Sequence, residues 1–253
     1  MDVPTWIAAV REQGELLAEA AATVSLDTTV PSCPEWQVRD LVRHTGNVHR
    51  WAARVVAEAY QGNAFAFRAQ LLAAEVEPTD EALVDWFRSG YAGLVEALKA
   101  APTDLDCFTF VTTSSPLEFW ARRQTHETAI HRVDAELAAG APTPVDADLA
   151  VDGIDELLTM FLALRGGALR AESERTLQVS AAGRHWLVRI GPDSATVTES
   201  QEQGRADCTV SGDPGALYLA LWNRAPWTSL TVSGDESLLA LWSEKVRIGG
   251  ERG

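Results

Sequence analysis

Residues 114–140 read SSPLEFWARRQTHETAIHRVDAELAAG, and the reading of this stretch organises the rest of the chain. Ser114-Ser115-Pro116 has the form of a helix start, a hydroxyl side chain followed by a proline that suits the first turn. Gly140 is where the helix stops. At about 100° per residue, Glu127, His131, Asp134 and Arg123 fall within about 40° of one direction. Trp120, Leu117, Ile130 and Leu137 lie on the same side. Thr125, Arg132 and Glu136 fall opposite, which makes theirs the solvated face. Glu127 and His131 therefore occupy the middle of an apolar stripe that points into a helical bundle.

An unpaired carboxylate in such a place costs several kcal/mol, so something must compensate it. One answer is an ion pair, because Arg123 stands one turn before Glu127. The other is a metal, because Glu and His at i, i+4 share a face and can share a cation. The second helix supplies a partner. Around His44, the residues Leu41, Val48, Trp51 and Val55 form an apolar face, with Arg39, Arg43, Arg50 and Arg54 on another side. His49 falls off the inner face. Pairing the two helices brings His44 against Glu127 and His131. Two imidazoles and one carboxylate with an open position is the donor set of catalytic zinc sites. His126 and His185 show no such pattern and read as surface or packing residues.

Around these two helices the chain reads as follows. Val3, Ile7, Val10, Leu17, Ala21 and Val24 mark a first helix. Ser32-Cys33-Pro34 marks the start of the second, which runs to about Tyr60 and breaks at Gln61-Gly62-Asn63. Pro78-Thr79-Asp80 starts a third, with Leu83, Phe87, Leu94 and Leu98 on one side. With the stretch that ends at Gly140, this makes a four-helix bundle. Pro142-Thr143-Pro144 is the linker. Beyond it lie a helical stretch at about Leu149–Leu164 and then period-two segments: Leu177 and Val179; Trp186, Val188 and Ile190; Thr196 to Thr198; Cys208 to Val210. Val210-Ser211-Gly212-Asp213 followed by Leu219-Ala220-Leu221-Trp222 echoes Val232-Ser233-Gly234-Asp235 followed by Leu239-Ala240-Leu241-Trp242. Each copy reads as strand, tight turn, Asp N-cap and helix. The expected fold is α plus α+β: a bundle over residues 1–143 and a small α+β domain over 144–253.

Composition narrows the function. The chain has 253 residues, 46% hydrophobic and 23% charged, enough for real cores. Its 21 Lys+Arg against 36 Asp+Glu give a net charge of −15. That argues against nucleic acid and against an anionic membrane surface as partners. Cys33, Cys107 and Cys208 are scattered and form no CxxC, so neither a disulfide framework nor a cysteine zinc site is expected. No signal-like start and no apolar run of about 18 residues is present, and a cytoplasmic location is the default.

Two segments carry a family resemblance. Val30-Pro31-Ser32-Cys33-Pro34-Glu35-Trp36-Gln37-Val38-Arg39-Asp40-Leu41-Val42-Arg43-His44 is similar to the opening motif of the mycothiol-dependent maleylpyruvate isomerase family. Arg123-Gln124-Thr125-His126-Glu127-Thr128-Ala129-Ile130-His131-Arg132-Val133-Asp134-Ala135 resembles its second motif. Cys208 to Asp213, Leu221-Trp222-Asn223-Arg224 and the second Ser-Gly-Asp look like its C-terminal domain. The resemblance implies a DinB-like four-helix bundle followed by a sterol-carrier-like α+β domain. It implies a divalent metal, usually zinc, on His44, Glu127 and His131, and mycothiol as the thiol cofactor. It implies that thiolate adds to the cis double bond of maleylpyruvate, that the carbon–carbon bond rotates, and that elimination gives the trans product. In relatives that act as S-transferases the thiol stays attached to the electrophile.

The expected partners are thus a small electrophile and a low-molecular-weight thiol, with a monomer or weak dimer as the assembly. Arg123 can bind a carboxylate of substrate or thiol, or pair with Glu127 or Asp134. Asp134 can support a ligand histidine or form an intrahelical ion pair. Arg224 can contact substrate or lie in solvent. Two other functions fit the residues less well. One is a non-catalytic small-molecule binder with pockets lined by some of the nine Trp. The other is a zinc-water hydrolase of the DinB-like superfamily, for which Asp134 is the one interior carboxylate besides Glu127.

Overall fold

The computed structural model describes residues 1–74, 76–165, 168–200 and 204–246. The chain divides into two compact units, the first spanning Met1–Thr143 and the second opening at Pro144.

In the first unit, helix α1 (Val3–Ala22) starts with Asp2 accepting from the Thr5 N–H at 3.0 Å. A short hairpin follows, β1 (Thr29–Val30) and β2 (Cys33–Gln37), in which Val30 faces Cys33 across a Pro31-Ser32 turn. The expected helix start at Ser32-Cys33-Pro34 is therefore a strand pair. Helix α2 (Val38–Ala57) begins where the Asp40 carboxylate accepts from the Gln37 N–H at 2.9 Å. This reciprocal cap fixes the first turn. A proline fits an edge strand as well as a first helical turn, so Pro34 alone does not discriminate.

Helix α3 (Ala64–Ala74) lies beyond the expected break. Its Ala- and Phe-rich sequence has no helical period, because only Ala64 and Phe67 are buried. Helix α4 (Leu83–Ala100) follows a 3-10 turn at Asp80–Ala82. Helix α5 (Pro116–Ala139) starts as the sequence suggests, with Ser115 accepting from the Glu118 N–H at 3.3 Å. It ends at Gly140, whose φ of +71° favours glycine.

The wheel reading of α5 needs one correction. Both α1 and α2 pack against it, and Thr125, Arg132 and Glu136 are buried. Thr125 donates to the carbonyls of Ala121 (2.8 Å) and Trp6 (2.9 Å). Arg132 meets Glu136 at 2.8 Å and Gln13 at 3.1 Å. The polar face expected to be solvated is met by α1 and by the chain after Gly140. His49, expected off the inner face, is also buried. It stands 2.9 Å from Thr128 Oγ1 on α5 and 5.5 Å from the Phe87 ring on α4.

In the second unit, α6 (Ala147–Glu156) runs through a π turn at Leu157–Phe161 into α7 (Leu162–Arg165). The strands β3 (Arg175–Ala181), β4 (Arg184–Ile190), β5 (Ala195–Ser200), β6 (Cys208–Ser211) and β7 (Thr231–Gly234) form one sheet in the order β5-β4-β3-β6-β7. Only the β3–β6 pair is parallel. Helices α8 (Pro214–Leu221) and α9 (Ser237–Lys245) follow the two echoed turns. Asp213 caps α8 through the Ala216 N–H at 2.9 Å. In the second copy the N-cap is Glu236, one residue later than expected, and Asp235 accepts from the Ser237 N–H at 3.0 Å. Leu177, Val179, Trp186, Val188, Tyr218 and Trp242 fill the core with apolar surface. Among the described residues no helix is long and apolar enough to cross a membrane.

Candidate metal centre

Helices α2 and α5 bring His44, Glu127 and His131 together. His44 Nε2 and His131 Nε2 each lie 3.4 Å from Glu127 Oε1. The three donor atoms are all within 4.8 Å of one another. His131 is almost fully enclosed, while the His44 side chain is 26% exposed, so the group opens on the His44 side.

Each carboxylate oxygen has a separate task. Glu127 Oε1 faces the two imidazoles, and Oε2 takes Arg123 at 3.1 Å. Arg123 is buried, and the pairing foreseen one turn before Glu127 is made. Asp134, fully buried, stands 2.9 Å from His131 Nδ1 and accepts the Ser32 hydroxyl from the hairpin turn. The Asp134 contact keeps a proton on Nδ1 and fixes the ring so that Nε2 faces Glu127. The indole of Trp36, on β2, lies 4.8 Å from the His44 ring and 6.2 Å from the His131 ring, closing one wall with apolar surface.

The protonation states follow from these contacts. Burial opposes the charged form of His131, but Asp134 and Glu127 outweigh it and raise the pKa to about 9. Burial likewise penalises ionised Glu127; its hydrogen bonds to His131 and His44 and the charges of His131 and Arg123 nevertheless hold it well below the ordinary carboxylate range. His44 is pushed down, first by burial and further by the charges of His131 and Arg68, against the pull of Glu127.

The donor set suits a divalent cation. Tetrahedral bonds of about 2.0–2.1 Å put neighbouring ligand atoms about 3.3 Å apart, close to the two nitrogen–oxygen separations seen here. The sequence pointed to His44, Glu127 and His131 through their faces, and to Arg123 and Asp134 through their spacing. Arg224 lies in the second unit, where its guanidinium donates to the Trp222 carbonyl at 2.8 Å. Sequence reasoning missed Trp36, Ser32 and Arg68 as neighbours of the site. Trp36 and Ser32 reach it through a hairpin read as helix, and Arg68 through α3, which had no periodic signal.

No curated protein matches this chain. Two solved structures share its fold: the mycothiol-dependent maleylpyruvate isomerase and a histidine-to-alanine mutant of it. Each has a TM-score of 0.64 at 13% identity, over 92% of this chain and 93% of that one. The Mycothiol maleylpyruvate isomerase N-terminal domain matches residues 7–136. The MDMPI C-terminal domain matches residues 148–241. The two stretches include His44, Glu127 and His131 and the whole sheet, and on that basis the chain belongs to the mycothiol maleylpyruvate isomerase family.

Proposed function

We propose that this protein is a metal- and mycothiol-dependent enzyme in which a thiolate attacks a small electrophile. Its favoured outcome is cis–trans isomerisation of a maleylpyruvate-type substrate, with S-transfer of mycothiol as the variant of the same chemistry. The carrying observation is the convergence of His44, Glu127 and His131 donor atoms at the open end of a buried charged cluster.

His44, Glu127 and His131 would hold the cation, and two imidazoles with one carboxylate favour zinc. A divalent cation there supplies a seat for a thiol as thiolate, the nucleophilic form. The thiol supplies a nucleophile that adds reversibly to a double bond, so that a single bond is free to rotate. Charge supports the reading. With Glu127 and Asp134 ionised, Arg123 charged and both histidines neutral, a divalent cation leaves the cluster at about +1, which one anionic ligand balances.

The chain's own residues do the rest. Glu127 anchors, Arg123 keeps the far carboxylate oxygen from swinging away, and Asp134 holds the His131 ring. Trp36 excludes water from one wall. Within this unit Arg123 is the candidate for meeting a carboxylate of substrate or thiol, and Arg224 is a separate candidate for such a contact on the second unit. A zinc-water hydrolase fits less well, because Asp134 is already engaged by His131 and Ser32 and does not face a water as base. The reading includes a cytoplasmic monomer or weak dimer, with neither nucleic acid nor membrane as partner.

The test is metal analysis of protein prepared without chelators, combined with turnover of maleylpyruvate with and without mycothiol. About one divalent ion per chain and strictly thiol-dependent conversion are expected. A metal-free preparation, or turnover without thiol, overturns the proposal.

A further inference from the structure

The Pro31-Ser32 turn of the hairpin touches the candidate centre at a point no ligand motif requires. The Ser32 hydroxyl donates to Asp134 Oδ1, and Asp134 Oδ2 stands 2.9 Å from His131 Nδ1. His131 Nε2 then lies 3.4 Å from Glu127 Oε1. Ser32 thus begins a chain of polar contacts that ends at the donor atoms. Four residues on, Trp36 packs on both imidazoles. One short hairpin therefore bears on ligands from both helices.

A carboxylate with one oxygen pinned by a hydroxyl cannot rotate without breaking that bond. Asp134 is fully buried, and a buried acceptor left without its hydroxyl donor is costly. A carboxylate fixed in this way fixes in turn the ring and tautomer of the imidazole it meets.

We propose that Ser32 is a positioning residue of the candidate metal centre: its hydroxyl pins Asp134 so that His131 keeps its proton on Nδ1 and turns Nε2 toward Glu127 and His44. The inference rests on the metal reading above. It assigns to the hairpin turn a role in cation affinity rather than in capping a helix.

The experiment uses the full chain, stripped with chelator and titrated with Co2+, whose visible absorption reports the ligand field. Ser32→Ala is expected to weaken Co2+ binding about tenfold, to alter the absorption band and to speed loss of the ion to chelator. Ser32→Thr, which keeps the hydroxyl, is expected to restore affinity to within about threefold and to restore the band. Asp134→Ala is expected to cost at least as much as Ser32→Ala, and the double variant no more than Asp134→Ala alone, because Ser32 acts through Asp134. Wild-type affinity and spectrum in Ser32→Ala, or losses that simply add in the double variant, overturn the inference and leave the metal reading standing. If Ser32→Ala does not fold, a Ser32→Thr protein with lost affinity and a changed band overturns it equally. Wild-type protein that takes up no Co2+ overturns the metal reading and this inference together.

Discussion

On one side of α5, Arg132 and Glu136 lie buried with Gln13 and are capped by the exposed Thr143; on another, Glu127 and His131 lie with Arg123, Asp134 and His44. Both clusters bring opposite charges into the interior, yet they are put together differently. Glu136 Oε2 takes Arg132 at 2.8 Å and the Thr143 N–H at 2.9 Å, while Oε1 takes the Thr143 hydroxyl at 2.8 Å. Arg132 adds Gln13 and the Thr143 carbonyl. Donors face acceptors, and the cluster is closed. In the other cluster three atoms that can each ligate a cation, Nε2 of His44, Nε2 of His131 and Oε1 of Glu127, converge on one point. A buried charge group whose donors and acceptors match is structure. One whose acceptors converge is a seat for something positive.

The largest expected effect breaks that contrast at the converging cluster. His131→Ala or His44→Ala should lose the stoichiometric ion and at least about 100-fold of thiol-dependent turnover while remaining folded, as metal analysis, kinetics and circular dichroism will show. Glu136→Ala is the counterpart. It should keep the ion but lose about 3–5 kcal/mol of stability in urea unfolding, because Arg132 is left buried without its carboxylate. Arg132→Met combined with Glu136→Leu should recover most of that loss. An equal fall in metal content for the Glu136 variant would erase the distinction.

His49 sharpens the same contrast within α2, where it follows His44 by five residues. Thr128 Oγ1 donates to the Gln124 carbonyl at 2.6 Å, so the His49 Nε2 proton faces Thr128. Burial, above all, depresses the His49 pKa to about 3. The unfolded chain binds a proton below about pH 6.5 that the folded chain refuses until about pH 3. This contribution is therefore complete above about pH 6.5 and is lost as pH falls, by about 3 kcal/mol at pH 4.5. His49→Gln, which keeps an N–H for Thr128 and does not titrate, should flatten this acid limb in denaturant midpoints measured against pH. An unchanged limb would assign the acid sensitivity elsewhere.

The smallest effect concerns support rather than ligation. Asp134→Asn should weaken the ion about 10- to 100-fold with little change in subunit fold, measured by competition with a chromogenic chelator.

Much of this was legible in the chain. Ser115 and Gly140 bound α5 because caps are local chemistry, and His44, Glu127 and His131 were found because a ligand on an apolar face violates its surroundings. What stayed hidden depended on partners. Pro34 fits a strand or a first turn, and pairing across Pro31-Ser32 decided for the strand. The wheel gave Arg132 and Glu136 a solvated face because nothing in α5 itself says that Gln13 of α1 and Thr143 lie opposite. His49 was misplaced for the same reason, since Thr128 and Phe87 supply its surroundings. Helix α3 escaped because an exposed Ala-rich segment buries too little to leave a period.

Trp36 has a use beyond closing a wall. An indole in van der Waals range of an imidazole loses emission when that imidazole becomes positively charged, so its brightness follows what its neighbour binds. The chain thus carries an optical gauge of its own site, and the fluorescence difference between wild type and Trp36→Phe isolates that signal from the other eight indoles.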